Sequence, residues 1–271
     1  MPICFDHKPG LVVYLTAGDA GLQGTQFSAR ASLNVTYEIA LAAIDAGADV
    51  IELGVPFSDP LADGPIIQRA SERALAHGTR LRDVLELARQ IRAARPQAGL
   101  VIFSYLNPIL RYGLHRFADD AASAGVDGVL ATDMIVEEAA EYLAEMDRAS
   151  LAPIFLAAPT SPDARLEAIA RYSKGFVYAI SRVGVTGTQK SVATDAAALV
   201  DRIRRWTPLP VAVGFGISNA EHAAKVAEFA DAVVVGSAIV ELVERSTPEA
   251  APGAVARFIK GLRLPHEALA R

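Results

Sequence analysis

The stretch Ala46-Gly47-Ala48-Asp49-Val50-Ile51-Glu52-Leu53-Gly54 decides the fold. Gly47 stops a helix just past its end, and the chain turns at once into a short apolar run. Nearly continuous runs of this kind are typical of parallel strands buried on both faces. The unit recurs. Ala124-Gly125-Val126-Asp127 precedes a strand at Gly128–Ala131, and Phe229-Ala230-Asp231 precedes one at Ala232–Gly236. Besides Val50–Gly54, the other expected strands are Leu11–Thr16, Leu100–Tyr105, Pro153–Leu156, Gly175–Ile180 and Val211–Gly214. Amphipathic helical patterns lie between them. Leu81, Val84, Leu85, Ala88 and Ile91 share one face of one helix, and Leu199, Ile203 and Trp206 share a face of another. Strand–helix units repeated in one direction imply right-handed crossovers and a parallel sheet. Eight strands in 271 residues indicate an α/β fold, a single-domain (β/α)8 barrel. No Gly/Ser-rich linker or charge run divides the chain, so one domain spans residues 1–271.

Composition narrows the function. Hydrophobic residues make up 52% of the chain, enough for a full core. A formal charge of −5 and a pI near 5.6 argue against nonspecific nucleic-acid binding and against a basic membrane-surface protein. Mean hydropathy is +0.27, yet no apolar stretch reaches the roughly 18 residues of a membrane span. Cys4 is the sole cysteine, which excludes an internal disulfide, and no motif sets a histidine beside it. Met1–Gly10 lacks the charged-then-apolar layout of a secretory leader, so a cytoplasmic protein is expected. The histidines at 7, 77, 115, 222 and 266 have no metal-ligand spacing, and no metal is expected.

A barrel of this type builds its site at the C-terminal strand ends. Alternation puts Val50, Glu52 and Gly54 on one face of their strand. If that face points inward, Glu52 is a carboxyl near the top of an apolar interior, where desolvation suits it to give and take protons. The bland alternative is a structural glutamate satisfied by backbone or arginine. Asp63, in the long proline-rich loop that follows, reads equally well as a helix N-cap or as a functional carboxylate. Glycines at 184 and 187, 214 and 216, and 236, with Ser237 opening a helix, suggest a phosphate cradle. Ser181–Lys190 has the punctuation of a lid. On these features alone a sugar-phosphate isomerase also fits the fold, although no motif supplies its second base.

The segment Glu52-Leu53-Gly54-Val55-Pro56-Phe57-Ser58-Asp59-Pro60-Leu61-Ala62-Asp63-Gly64-Pro65 resembles the signature of the tryptophan synthase alpha chain family. Tyr105-Leu106-Asn107-Pro108, Ser181-Arg182-Val183-Gly184-Val185-Thr186-Gly187 and Gly236-Ser237-Ala238-Ile239-Val240 are similar to its other motifs, in the same order. The resemblance implies retro-aldol cleavage of indole-3-glycerol phosphate to indole and glyceraldehyde 3-phosphate, with no metal or organic cofactor. It implies Glu52 as general acid/base, Asp63 as the carboxylate on the indole N–H, and Tyr178 beside the glycerol. Thr186 matches the lid threonine, and Gly187, Gly216, Gly236 and Ser237 the phosphate donors, with Phe215 between them. Tyr14, Phe103, Leu130, Leu156 and Phe176 would line the indole pocket. Pro56, Ser58, Asp59, Tyr105 and Asn107 stand where the family meets its PLP-dependent beta chain.

Three departures from the family pattern accompany these matches. About eleven extra residues around Ala20–Asn34 enlarge the first βα segment, the chain before Leu11 is short for a leading helix, and Asp133-Met134-Ile135 replaces a usual proline. The departures bear on the partnership more than on the chemistry. A stand-alone lyase releasing free indole and a non-catalytic regulatory partner of a beta chain are the alternatives.

Overall fold

The computed structural model describes residues 3, 5–21, 27–180, 189–214 and 216–262, with the backbone alone over 189–193. Its strands are β1 (Gly10–Thr16), β2 (Val50–Gly54), β3 (Gly99–Ser104), β4 (Gly128–Ala131), β5 (Ala152–Ile154), β6 (Leu156–Ala157), β7 (Val177–Ile180), β8 (Val211–Gly214) and β9 (Ala232–Val235). All neighbours pair in parallel, in the order β5-β4-β3-β2-β1-β9-β8-β7-β6. The stretch expected as one strand at Pro153–Leu156 is broken at Phe155, so β5 pairs with β4 while β6 pairs with β7. Both ends of the sheet therefore belong to one interrupted stave, and the sheet closes into an eight-stave barrel. The backbone carbonyl of Phe155 still accepts the Tyr178 N–H at 3.2 Å across the break.

Around the barrel lie α1 (Ala29–Asp45), α2 (Pro65–Ala76), α3 (Leu81–Ala94), α4 (Leu106–Tyr112), α5 (Leu114–Ser123), α6 (Ala140–Arg148), α7 (Asp163–Tyr172), α8 (Gln189–Arg204), α9 (Ala220–Ala227), α10 (Ser237–Arg245) and α11 (Ala251–Leu262). The recurrent turn now has a physical account. Gly47 and Gly125 take the left-handed backbone, with φ of +109° and +78°. The aspartate closing each unit then reaches the preceding strand. Asp49 accepts the Leu11 N–H at 2.7 Å, Asp127 that of Leu100 at 2.8 Å, and Asp231 that of Val211 at 2.9 Å. Each carboxylate thus satisfies a strand-end donor that the ladder leaves open.

Strand alternation sorts side chains as expected. Val12, Val50, Val101, Leu130 and Val234 pack inside the barrel, while Val13, Leu15, Ile51, Leu53 and Ile102 face the helical shell. In α3 the expected face is buried, as are Leu199 and Ile203 of α8. Trp206 is not on that face. It lies beyond the end of α8 and is 43% exposed, because the helix stops at Arg204 before the period can carry it inward. Residues Ala29–Asn34 of the extra stretch form the first turns of α1, capped by the Ser28 hydroxyl.

The floor is closed from below. As expected for a stretch too short for the family's leading helix, Ile3 and Phe5 lie outside any helix and enter the barrel's interior cluster. The Phe5 ring stands 5.9 Å from that of Phe176. Gly10 makes this possible, since a Cβ there would fall 2.2 Å from the Phe5 ring. Gly175 makes the same allowance for Ile3, at 2.9 Å. Gly10→Ala should therefore displace Phe5 and cost about 1–3 kcal/mol, lowering Tm by roughly 2–10 °C in a domain this size, as thermal unfolding would measure. An unchanged Tm would mean that Phe5 does not hold the floor.

Candidate active site

Glu52 sits in the middle of β2, its neighbours in register being Tyr14 on β1 and Val101 on β3. The strand pattern sends it inward, and it is 0% exposed. Neither carboxylate oxygen has a hydrogen-bond partner among the described residues, which argues against the satisfied structural glutamate. Burial alone pushes its acid up to about 8. Such a group stores a proton at neutral pH and releases it at small cost.

Asp63 approaches from the loop between β2 and α2. The N-cap reading fails, because Gly64 holds the cap position and no side chain caps α2. The carboxylate instead accepts the Tyr105 hydroxyl at 3.1 Å, while that hydroxyl accepts the Ala62 N–H at 2.9 Å. Gln68 braces the loop through the Asp63 carbonyl at 2.9 Å. Burial raises the Asp63 acid to about 6, and the Tyr105 hydrogen bond works in the opposite direction. The two carboxyls thus differ in environment. One is dry and unpaired, the other half-buried and donor-supplied.

Tyr14, the register neighbour of Glu52, and the start of α2, just after Asp63, border a cavity of about 310 Å³ at the C-terminal mouth of the barrel. Tyr14, Phe103 and Tyr178 line it, with Ile66 and Ile67 from α2 and Val234 from β9. Tyr14 and Phe103 meet edge to face at 5.0 Å. Burial pushes both the Tyr14 and Tyr178 phenols up, with Asp63 the next cause for Tyr14 and Glu52 for Tyr178. Both therefore remain neutral hydroxyls. Gly54 and Gly214 make room for them, since a Cβ would come 2.2 Å from the Tyr14 oxygen and 2.7 Å from the Tyr178 oxygen.

The far wall is the start of α10, with Gly236 and Ser237 beside Gly216, Ile217 and Ser218. Gly236 caps α10 without a side-chain bond, and the first helical N–H groups point at the cavity with the positive end of the dipole. Gly216 adopts φ +43°. This arrangement suits an anion, with the Glu241 carboxylate that also lines the cavity held by the Arg245 guanidinium. Thr186, Gly187 and Phe215 lie outside the described residues, as does 181–188 of the expected lid.

Not every expected pocket residue reaches the cavity. Leu130 and Phe176 are fully buried in the layer below it, and Leu156 joins the same interior cluster. Ile66, Ile67 and Val234 were missed, although the α2 pair follows Asp63 closely enough for a loop reading to have included it. Of the expected partner positions, Ser58, Asp59 and Asn107 are exposed and Pro56 is buried. Tyr105 turns inward to Asp63, with its ring against Phe57 at 5.0 Å. Among the described residues no cluster of His, Cys, Asp or Glu could hold a metal ion, and no helix is long and apolar enough to cross a membrane.

Comparison with known proteins gives the family. The family model described as "Tryptophan synthase alpha chain" matches residues 5–263. The alpha chain of Solibacter usitatus is 51% identical over 91% of this chain and 88% of its own length. That of Geobacter sulfurreducens is 49% identical over 95% and 93%. Among solved structures, tryptophan synthase from M. tuberculosis superposes with TM-score 0.80 at 36% identity, covering 94% of each chain. The tryptophan synthase complex from Pyrococcus furiosus gives TM-score 0.81 at 35% identity, covering 94% of this chain and 98% of that one. On the family model and these relatives, the chain belongs to the tryptophan synthase alpha chain family.

Proposed function

We propose that Glu52 and Asp63 together carry the reaction of this family, the retro-aldol cleavage of indole-3-glycerol phosphate to indole and glyceraldehyde 3-phosphate. The observation that carries the assignment is the dry Glu52 carboxyl, unpartnered among the described residues and next in register to Tyr14, which lines the cavity walled by the start of α10. Leaving such a group unpaired is costly for folding, and chemistry is the reason to keep it. In this reading the protonated Glu52 delivers its proton to indole C3, which breaks aromaticity and places positive charge on the ring nitrogen. Asp63, ionised, accepts the indole N–H and stabilises that charge. The Glu52 carboxylate then takes the proton of the glycerol hydroxyl as the C3–carbon bond breaks, so the acid is regenerated with no net proton change. Tyr178 orients the glycerol, and the opening N–H groups of α10 anchor the phosphate. A regulatory partner that only binds ligand has no use for the unpaired acid.

We further propose that the chain works as a subunit beside a PLP-dependent beta chain. Three large apolar side chains stand exposed in the connections that follow β2, β3 and β4, namely Leu61 at 93%, Leu110 on α4 at 54% and Ile135 at 45%. Hydrogen bonds bind these loops to one another. Tyr105 bridges to the β2 loop, and Asp133 accepts the Leu106 N–H at 2.7 Å. Exposed apolar side chains in the same connections as the exposed Ser58, Asp59 and Asn107 fit a protein partner better than water. Ile135 falls in the segment where the family's proline is missing, so that departure adds apolar surface rather than removing it.

Glu52→Gln should abolish indole release while keeping phosphate affinity. The same variant should be more stable, because the native acid stays protonated up to about pH 8 while its unfolded counterpart ionises near 4.5. Native stability therefore falls as pH rises between those values, by roughly 3 kcal/mol at pH 7, and Glu52→Gln escapes the loss. Equal unfolding free energies at pH 4 and a gap at pH 8 would bear this out; equal values at both would sink it. With Asp63 ionised above about 6 and Glu52 protonated below about 8, kcat/KM should be bell-shaped between those limits. Tyr105→Phe removes a hydrogen bond that favours the Asp63 carboxylate, so the acidic limb should move to higher pH. A limb that stays put would show that Asp63 does not set it. Leu110→Asp should weaken beta-chain binding about tenfold or more, measured by titrating the activation of indole release.

A further inference from the structure

The walls of the cavity are the starts of α2 and α10, and the two helices are fastened to each other twice. Near the cavity, Ala70 and Val240 pack with Tyr14, Ile66 and Ile67. Further out, charged side chains take over. Arg73 is eight residues past Pro65 and Glu244 seven past Ser237, which puts both about 11–12 Å along their helices from the site. The Arg73 guanidinium donates through Nη1 to Glu244 Oε1 at 2.8 Å, and through Nε and Nη2 to the two oxygens of Asp19, both at 2.8 Å. Arg69 donates through Nε and Nη2 to the two oxygens of Glu244, both at 2.9 Å. Arg73 is 13% exposed and Asp19 3%, so this is no solvated surface pair. Asp19 also accepts the Gly21 N–H at 3.0 Å, which ties in the loop leaving β1.

Two fastenings along a helix pair fix the angle between the axes as well as their separation. That angle sets the distance from Asp63, just ahead of α2, to the N–H groups that open α10. We infer that Arg73, held between Asp19 and Glu244, is a positioning residue that fixes the span between the ring anchor and the phosphate anchor and so selects the length of the linker joining ring to phosphate. The inference rests on the site assignment made above. A lysine at this position would not serve, since a single ammonium cannot hold a bidentate carboxylate and a second partner in one plane.

The test uses two unreactive ligands, an indole joined to phosphate through a saturated three-carbon chain and its four-carbon homologue. Calorimetric titration of the native chain should favour the three-carbon ligand by about tenfold or more, as one misfitting methylene does in a tight site. Arg73→Lys and Glu244→Gln should each reduce that ratio to about threefold or less, while affinity for inorganic phosphate alone stays within about twofold. Arg95→Lys is the control, since it disrupts a comparable bidentate pair with Asp45 on the outer surface and should leave the ratio intact. Should both clamp variants keep the native ratio, the positioning role is overturned and the site assignment stands. Should the native chain itself fail to discriminate, the assignment and the clamp fall together.

Discussion

A carboxyl group with no hydrogen-bond partner among the described residues, held in the dry interior of a barrel, sets the terms for the rest of this molecule. Glu52 is enclosed by strands whose other inward side chains are apolar or aromatic, and burial is the cause of its raised pKa. Such a group strains the fold. It is tolerated because the surrounding staves are otherwise close-packed and the cost is concentrated at one point. The tyrosines near it cannot neutralise it, since their own phenols are driven further from ionisation by the same environment. Asp63 complements this arrangement because its surroundings differ. With a hydroxyl donor and partial exposure its acid lies lower, so one carboxyl is ready to donate a proton while the other is charged.

The barrel, its strand positions and the inward course of Glu52 were legible in the sequence because they depend on short-range regularities. Period-two alternation fixes which face a side chain takes, and a glycine at a helix end announces the next strand. Where such regularities stop, reading stopped with them. The break at Phe155 leaves no mark in a run of apolar residues, and Trp206 looked buried only if its helix were extended past Arg204. The aspartates of the repeated turn were seen, but their bonds to the preceding strand depend on parallel register, which no local pattern states.

The same distinction runs through the site. Glu52, Asp63 and the opening of α10 lie in motifs contiguous along the chain. Tyr105 was placed with the partner surface by its motif, whereas its hydroxyl crosses to Asp63 from 42 positions away. Ion pairs such as Arg73 with Asp19 and Glu244 are of the same kind, with 54 and 171 positions between partners. Ile66 and Ile67 are a different case. They form part of the cavity because α2 starts with its apolar face toward the barrel mouth, a consequence of helix phase that could have been worked out from Pro65 onward.

The pairing of Gly54 with Tyr14, and of Gly214 with Tyr178, has an evolutionary corollary. In each pair the missing side chain of one partner is the space occupied by the hydroxyl of the other. Neither member is free to drift alone, because any larger residue at the glycine evicts the phenol, while a smaller ring leaves a hollow beside the reacting groups. Change at these positions has to be epistatic, with the ring shrinking before the backbone position can fill. A lineage remodelling this chamber for bulkier aromatic substrates would have to pass through a loosened, less active intermediate.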